Sequence, residues 1–156
     1  MPYLKVTCPE LDAERRATTA ARVTEAVNDL FYNPRGPTTR EQLRERTTIH
    51  FTPYAERELF IGGRTPTERG ALDLTVELSD WGMSVRQRRR VARRLTPVLA
   101  DLFDVPSEGV EGINIRFHPY PTTDFAVGGR LLSDLVPRVG RRSSVQDYPT
   151  FPGAIR

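Results

Sequence analysis

Apolar and polar residues alternate along several short stretches of the chain, which is the pattern of half-buried β-strands. The stretch 3–8 places Leu4, Val6 and Cys8 on one face and Tyr3 and Lys5 on the other. The stretch 70–78 alternates in the same way. The predicted strands are 3–8, 47–52, 58–61, 70–78, 113–117 and 125–127, of which the third and the last are short.

Two longer stretches repeat their apolar residues every three to four positions, which predicts amphipathic helices. The first covers about 13–31 and follows Asp12, a residue that caps helices. The second follows Ser84, which forms a capping box with Gln87 three residues later, and runs to about Phe103. The charged residues 38–46 predict a surface loop or a short helix. The apolar stripes are Ala20, Val23, Val27, Leu30 and Phe31 in the first helix and Val91, Leu95, Val98, Leu99, Leu102 and Phe103 in the second.

The two halves of the chain repeat one order of elements: strand, helix, strand and short strand. The ends of the two helices match, although at a different spacing because the connecting loops differ. This is an internal duplication, with repeats of about 2–64 and 70–130 inside a single domain that spans 1–156. The landmarks that recur 66 residues apart are Ile49 with Ile115, Phe51 with Phe117, Pro53-Tyr54 with Pro119-Tyr120, and Gly62-Gly63-Arg64 with Gly128-Gly129-Arg130.

The length of the connections fixes the strand directions. In each repeat more than a dozen residues, including the helix, separate the two main strands, so these strands are parallel and the helix covers one face. The predicted fold is α+β, with two β-α-β units that form a four-stranded sheet under two helices. The other face of so small a sheet needs a cover, so we expect an oligomer.

Composition limits the cellular compartments and the classes of binding partner that we expect for the protein. The chain has 156 residues and is 38% apolar, with no run of about 18 apolar residues. Its first residues show no basic region followed by an apolar stretch, so we expect no signal peptide. Cys8 is the single cysteine, and no His/Cys cluster has metal-ligand spacing. We therefore expect a cytoplasmic protein without metal or membrane partners. The net charge is +3 and the basic residues are mostly clustered arginines, which favours anionic small molecules or an anionic polymer.

The chain begins Met1-Pro2, and methionine before a small residue is normally removed. Pro2 would then be a free secondary amine at the start of the first strand, where proline is tolerated. Burial or a neighbouring cation lowers the pKa of an amine below its ordinary value of about 7.7–8.0. Such an amine is able to act as a base at cellular pH.

These features together resemble the tautomerase superfamily, and specifically a fused 4-oxalocrotonate tautomerase with two β-α-β units in one chain. The resemblance covers about 2–134 and rests on Pro2, on the duplicated plan and on the segments 60–63 and 126–129 with their Gly-Gly pairs. It implies a homotrimer and a cofactor-independent isomerase. In such an enzyme the neutral Pro2 amine removes a proton α to a carbonyl of an enol or 2-oxo acid and returns it at another carbon, while arginines hold the substrate carboxylate.

The same resemblance suggests the substrate-binding residues. Arg116 and His118 alternate with the apolar residues of their strand and so face the side that another subunit covers; His50 is the counterpart of Arg116 in the first repeat. The alternative for Arg116 is an intersubunit salt bridge, and the alternative for His50 and for His118 is a structural role. Phe125 forms an apolar wall or packs in the core, and Arg130 reaches a carboxylate or is solvated. Gly70 stands at the matching start of the second repeat and supplies no base, so we expect one active pocket per chain.

The sequence departs from the family in two places. The end of the first strand reads Pro-Glu-Leu-Asp over 9–12, where simple members carry an arginine, and the nearest candidates are Arg15 and Arg16. Related dehalogenases use an arginine pair at the second helix and an acidic residue near the last short strand. Here those places read 79–83, Ser-Asp-Trp-Gly-Met, and 126–127, Ala-Val, which disfavours hydrolytic dehalogenation.

Two other functions fit the sequence less well. Six arginines on the second helix would suit nucleic-acid phosphates. Against this, Val91, Leu95 and Val98 form a buried stripe on the opposite side, and an arginine-rich solvated face needs no ligand. A non-catalytic trimer is favoured if Met1 is retained, because Pro2 then carries an amide nitrogen without basicity. The arginines on this helix are Arg86, Arg88, Arg89, Arg90, Arg93 and Arg94.

Overall fold

A computed structural model describes residues 1–135 of the chain. The sequence from Pro137 to Arg156 lacks apolar periodicity and is predicted to be an extended C-terminal tail. This segment lies outside the described residues. In chain order the elements are β1 Tyr3–Pro9, α1 Ala13–Phe31, α2 Arg40–Arg46, β2 Thr48–Tyr54, α3 Pro66–Arg69, β3 Leu74–Trp81, α4 Val85–Leu102, β4 Ile113–Tyr120, β5 Ala126–Val127, β6 Arg130–Leu131 and α5 Leu132–Leu135, with 3₁₀ turns at Ser107–Gly112 and Thr122–Asp124.

The main sheet has four strands in the order β2-β1-β3-β4. The pairs β1–β2 and β3–β4 are parallel, and the two units join through the antiparallel pair β1–β3. The predicted fold class, two β-α-β units in one α+β sheet, is therefore confirmed. The short strands β5 and β6 form a separate antiparallel pair.

Both long helices pack on one face of this sheet and close the hydrophobic core. Helix α1 buries Val23 and Val27, and helix α4 buries Leu95 and Leu99. These residues share one core with the side chains on the helix-facing side of β1 and β3. Removing one such side chain, as in Leu95→Ala, typically costs about 2–5 kcal/mol of folding free energy. The sheet residues of the core include Leu4, Val6, Leu74, Val76 and Leu78.

The helices begin where their capping residues predict. Asp12 accepts a hydrogen bond from the backbone N–H of Arg15 and precedes α1, whose bounds match the prediction. Ser84 accepts one from the N–H of Gln87 and precedes α4. The charged segment 38–46 contains a helix, α2, which Thr39 starts with a full capping box.

Two predicted strands are wrong in part. The third main strand begins at Leu74 rather than at Gly70, because Thr65 caps the short helix α3 and Gly70 ends it with a φ of 63°. A residue in this left-handed conformation cannot continue a strand. The predicted short strand 58–61 is only a single bridge between Ile61 and Arg64.

The opposite face of the sheet is polar. Lys5 and Glu77 lie 3.8 Å apart across β1 and β3, and the hydroxyl of Tyr3 lies 2.9 Å from Nδ1 of His50 across β1 and β2. These two central pairs are charged or hydrogen-bonded, so this part of the face does not resemble half of a hydrophobic core. The helices among residues 1–135 include none with the length and hydropathy needed to cross a bilayer.

The core position of Cys8 generates a test of the fold. Its side chain is 1% exposed, and burial raises the pKa of the thiol to about 11. Because only the thiolate reacts with a disulfide reagent, the folded chain should react very slowly at about pH 8. In guanidinium the same chain should release one equivalent, since Cys8 is the single cysteine. Immediate stoichiometric reaction of the folded chain would contradict the packing of β1 described here.

Candidate active site

Strand β1 holds the start of the chain inside the fold. Pro2 is buried, and its carbonyl oxygen accepts a hydrogen bond of 3.0 Å from the N–H of Thr48 on β2. On the other side of β1, Tyr3 is paired with Ser79 of β3. One step further along this antiparallel register, Asp80 lies opposite Pro2. The first residues of the chain are thus fixed between two strands.

Asp80 is the charged group beside the terminal amine. Its carboxylate is fully buried, and its Oδ1 accepts hydrogen bonds from the amine of Met1 at 2.7 Å and from the backbone N–H of Trp81 at 2.9 Å. A buried carboxylate is unfavourable unless a cation or several donors compensate the lost hydration. Here the terminal amine and the strand backbone do so.

Sequence reasoning missed Asp80, although the sequence carries a signal for it. The apolar face of β3 reads Leu74, Val76, Leu78 at every second position, and the next residue on that face is Asp80. A carboxylate that continues a buried apolar series requires a partner inside the protein. Alternation alone therefore points to a buried charge at this position.

Burial determines the protonation of the terminal amine. Desolvation lowers the pKa of the Met1 amine below its ordinary value, the nearby Asp80 carboxylate opposes this, and Arg46 adds a smaller lowering effect. The net direction is downward, so the neutral amine is more populated near neutral pH than for a terminus in water.

Arg46 is a second residue that the sequence reasoning missed. It is the last residue of α2, two positions before the start of β2, and it is partly buried. Its charge acts on the terminal amine. Burial lowers the pKa of its guanidinium. The position was predicted only as part of a charged surface segment, because a short helix gives too few turns to show which arginine points inward.

Two aromatic rings are linked to Asp80: the Tyr120 phenol is affected by its charge, and Phe125 packs against Tyr120. Tyr120 ends β4, and its ring centroid lies 5.6 Å from that of Phe125. Burial raises the pKa of the Tyr120 phenol, and the negative charge of Asp80 raises it further. Phe125, a predicted wall residue, packs against the core. These rings give the region around Asp80 an apolar side.

The other predicted binding residues lie elsewhere within the chain. His50, Arg116 and His118 are exposed on the sheet face away from the helices, whereas Pro2 and Asp80 are on the helix-side face. Arg130 is exposed at the start of β6. Among the predicted binding residues, only Phe125 is linked within the described chain to the Asp80 region, through its contact with Tyr120.

The second repeat contains a structural counterpart of this region. Ile49 pairs with Leu4 and Ile115 pairs with Val76, so the strand registers make Leu74 the equivalent of Pro2. The earlier assignment of Gly70 is therefore corrected. By the same register Cys8 corresponds to Asp80, Tyr54 to Tyr120 and Gly112 to Arg46.

A cavity of about 510 Å³ lies beside the tyrosine of this counterpart region, and Glu10, Glu56 and Leu72 are among its other lining residues. Tyr54 lines it, and the hydroxyl of Tyr54 donates a hydrogen bond of 2.7 Å to the carbonyl of Asp73. Burial raises the pKa of this phenol to about 12. A β-carbon at Gly112 would lie 2.3 Å from the carbonyl oxygen of Leu72, so no larger residue fits where the first repeat has Arg46. The second region thus keeps the tyrosine, but Leu74, Cys8 and Gly112 stand where the first region has Pro2, Asp80 and Arg46.

Comparison with solved structures shows a shared fold. Native fused 4-OT superposes with a TM-score of 0.70 at 22% identity, over 86% of this chain and 98% of that chain. A protein named N1, a member of the cis-3-chloroacrylic acid dehalogenase family, gives 0.63 at 21% identity over 83% and 82% of the two chains. Pt0534, solved after inactivation by 2-oxo-3-pentynoate, gives 0.68 at 15% identity over 85% and 98%.

Similar fused 4-OT structures also include trimers. No protein-family model matches the sequence, and no curated protein matches it. The predicted resemblance to a fused 4-oxalocrotonate tautomerase is therefore confirmed for the fold.

The buried phenol of Tyr120 allows a spectroscopic test of this geometry. Between about pH 9 and 11, where tyrosine normally ionises, the folded parent and the folded Tyr120→Phe chain should gain the same tyrosinate absorbance. The reason is that burial and Asp80 keep the Tyr120 phenol protonated. In guanidinium the parent should gain more, by the one tyrosine that the variant lacks. A difference between the folded chains would mean that Tyr120 is open to solvent.

Proposed function

We propose that this protein is a tautomerase in which the Pro2 amine, freed by removal of Met1, is the general base. Its substrate is a small anionic carbonyl or enol compound, a 2-oxo or 2-hydroxydienoic acid. The observation that carries the proposal is the burial of Pro2 and of the group before it: Pro2 is buried, and burial lowers the pKa of the Met1 amine that occupies this region. A terminus in open solvent would be mostly protonated near neutral pH and a poor base.

The proposed reaction is a proton transfer without a cofactor. The neutral Pro2 nitrogen takes the acidic proton from the substrate, whose electrons move into the conjugated carbonyl as a dienolate. The same nitrogen, now protonated, returns the proton to a different carbon. Arg46 of α2 is a cation whose charge acts on the Met1 amine. Its guanidinium would balance the negative charge of the substrate carboxylate or of the dienolate. The rings of Tyr120 and Phe125 would limit the access of water.

The proposed assembly is a homotrimer, as in the fused 4-OT structures solved as trimers. The exposed polar sheet face supports a contribution from neighbouring copies. His50, Arg116 and His118 lie on this face, and a neighbouring copy would be needed to bring such residues, or Arg130, to a Pro2 site. Arg116 is the strongest candidate for a carboxylate contact because its charge is permanent.

Hydrolytic dehalogenation is a weaker proposal, although one neighbour belongs to a dehalogenase family. Asp80 and Trp81 stand in the segment where an arginine pair would be expected, and β5 is Ala126–Val127 where an acid would be expected. Nucleic-acid binding is weaker too, because α4 buries its apolar stripe and Arg90 contacts the carbonyl of Asp29. Strongly salt-dependent DNA binding would support that alternative.

The central test compares the parent with Pro2→Ala, using phenylenolpyruvate and 2-hydroxymuconate as substrates. General acid–base catalysis contributes roughly 10²- to 10⁴-fold, so kcat/KM should fall by about that range. Intact mass should show that Met1 is absent from both chains. An unchanged rate of ketonisation in Pro2→Ala would remove Pro2 from the mechanism, and a retained Met1 would favour the non-catalytic alternative.

A matched control uses one chain with a cleavable N-terminal extension. The extended chain has no free amine at Pro2 and should be inactive, and cleavage immediately before Pro2 should restore activity. 2-Oxo-3-pentynoate, which inactivates Pt0534, should add its mass to Pro2 only after cleavage, because an amine nitrogen adds to the activated alkyne. Labelling elsewhere in the chain would count against Pro2.

The role of Arg46 is tested against its neighbour Arg44. Arg46→Gln should lower kcat/KM about 10- to 100-fold, since a hydrogen bond to a charged group is worth about 1.5–3 kcal/mol. Arg44→Gln should have little effect, because Arg44 is an outward-facing residue of the same helix that pairs with Glu25 and Glu41. Equal losses in the two variants would indicate damage to α2 rather than lost substrate binding.

A further inference from the structure

We infer that Asp80 is the positioning residue of the Pro2 amine: its buried carboxylate accepts the amine N–H, turns the nitrogen lone pair toward the substrate, and stabilises the amine once it is protonated. This inference rests on the proposed function. It concerns a residue on the second repeat, so it makes the base of the first repeat depend on the duplication.

The strand register carries the argument. Tyr3 is paired with Ser79 and Leu4 with Leu78, so Pro2 and Asp80 are the next opposing residues and share the helix-side face. Side chains directly opposite in an antiparallel pair have β-carbons about 4.5–5.5 Å apart. When Met1 is present, its amine already lies 2.7 Å from Oδ1 of Asp80. After removal of Met1 the terminal nitrogen moves by one residue toward the position that faces Asp80.

The cost of burying Asp80 indicates a purpose for it. The effective penalty for burying an ion is several kcal/mol, and apolar neighbours on the same strand show that the core accepts aliphatic residues here. Asp80, which belongs to the second repeat, is nevertheless 0% exposed. It lies beside the N-terminal residues of the first repeat. The backbone N–H of Trp81 donates a hydrogen bond of 2.9 Å to the same carboxylate oxygen. This bond orients the carboxylate independently of the terminal amine.

The duplication supplies an internal comparison. In the second repeat Leu74 takes the position of Pro2, inside the chain and without an amine. The residue that corresponds to Asp80 is there Cys8, a buried thiol whose pKa is raised by burial. The carboxylate is thus present at the repeat that has a terminal amine and absent at the one that has none.

The chemistry needs both states of the nitrogen. A neutral proline amine has one N–H and one lone pair; if the N–H donates to Asp80, the lone pair is left to receive the substrate proton. The protonated amine then has two N–H groups, one on Asp80 and one that carries the proton to be returned. No atom is gained or lost over the cycle, and the carboxylate stays ionised throughout.

The charged groups around the amine determine the direction in which its pKa should change when Asp80 is replaced. The groups that act on it among residues 1–135 are Asp80 from β3 and Arg46 from α2, with the Tyr120 phenol of β4 in the field of Asp80. Asp80 favours the protonated amine and therefore raises its pKa. Asp80→Asn removes this effect, so the amine pKa falls and the rising limb of the pH–rate profile moves to lower pH.

The decisive experiment measures kcat/KM against pH for the parent, Asp80→Asn and Glu77→Gln, with 2-hydroxymuconate. We expect the rising limb of Asp80→Asn about one pH unit or more below that of the parent. We expect kcat to fall about tenfold with little change in KM, because a weaker base removes the proton more slowly. Glu77→Gln, a charge removal on the outer face of the same strand, should leave the limb in place.

A second readout is independent of turnover. The rate of Pro2 alkylation by 2-oxo-3-pentynoate should follow the same shifted pKa in Asp80→Asn. Asp80→Glu restores the charge and should return the limb toward the parent value, which also covers the case in which Asp80→Asn folds poorly. A limb that stays in place in Asp80→Asn overturns the inference. If Pro2→Ala is fully active, the proposed function fails instead, so the two failures are distinguishable.

Discussion

The pairing of β1 with β3 is the contact on which both the fold and the candidate site depend. It is the antiparallel junction in the centre of the sheet, and it joins two units that are each parallel inside. Because β1 is the first strand, the same pairing draws the start of the chain into the interior. Asp80 is opposite Pro2 only in this register, and a slip by one residue would turn it to the polar face.

The duplication explains why the site is one-sided. An antiparallel junction between two copies of one unit places the start of each β-strand beside the end of the other, so it creates two equivalent regions. In one of them the strand begins with the chain itself and meets Asp80; in the other the strand begins at Leu74 and meets Cys8. A chain has a single N-terminus, and a carboxylate without that amine would be buried at a cost with no partner. The two regions therefore differ at the residue that lies opposite the start of each strand, which is Asp80 beside the terminal amine and Cys8 beside Leu74.

Much of this architecture is predictable from local patterns. The repeat spacing, the caps Asp12 and Ser84 and the alternation along β1 depend on neighbours in sequence, and the structure has the elements they predict. The predicted start of β3 at Gly70 was wrong because Thr65 and Glu68 form a capping box. This box begins a short helix where the prediction had extended backbone. That competition is also local, and it was visible in the sequence.

The site residues were harder to predict because their roles depend on pairs across the sheet. Asp80 is informative only when the register shows that it faces the terminus, and Arg46 only when α2 is known to end beside it. The predicted residues Arg116 and His118 follow correctly from alternation in facing away from the helices. Alternation gives the face of a strand, however, and not the neighbour that stands opposite.

The terminal amine is subject to two opposing effects, and their balance determines its chemistry. Burial favours the neutral form, and Asp80 favours the protonated form; burial is the larger effect. An amine with burial alone would accept a proton poorly, and one with Asp80 alone would rarely be free to accept it. A base that must take a proton and then return it needs both forms within reach of neutral pH. For the proposed reaction, the apolar surroundings and the carboxylate of Asp80, the one carboxylate buried among residues 1–135, would together meet that requirement.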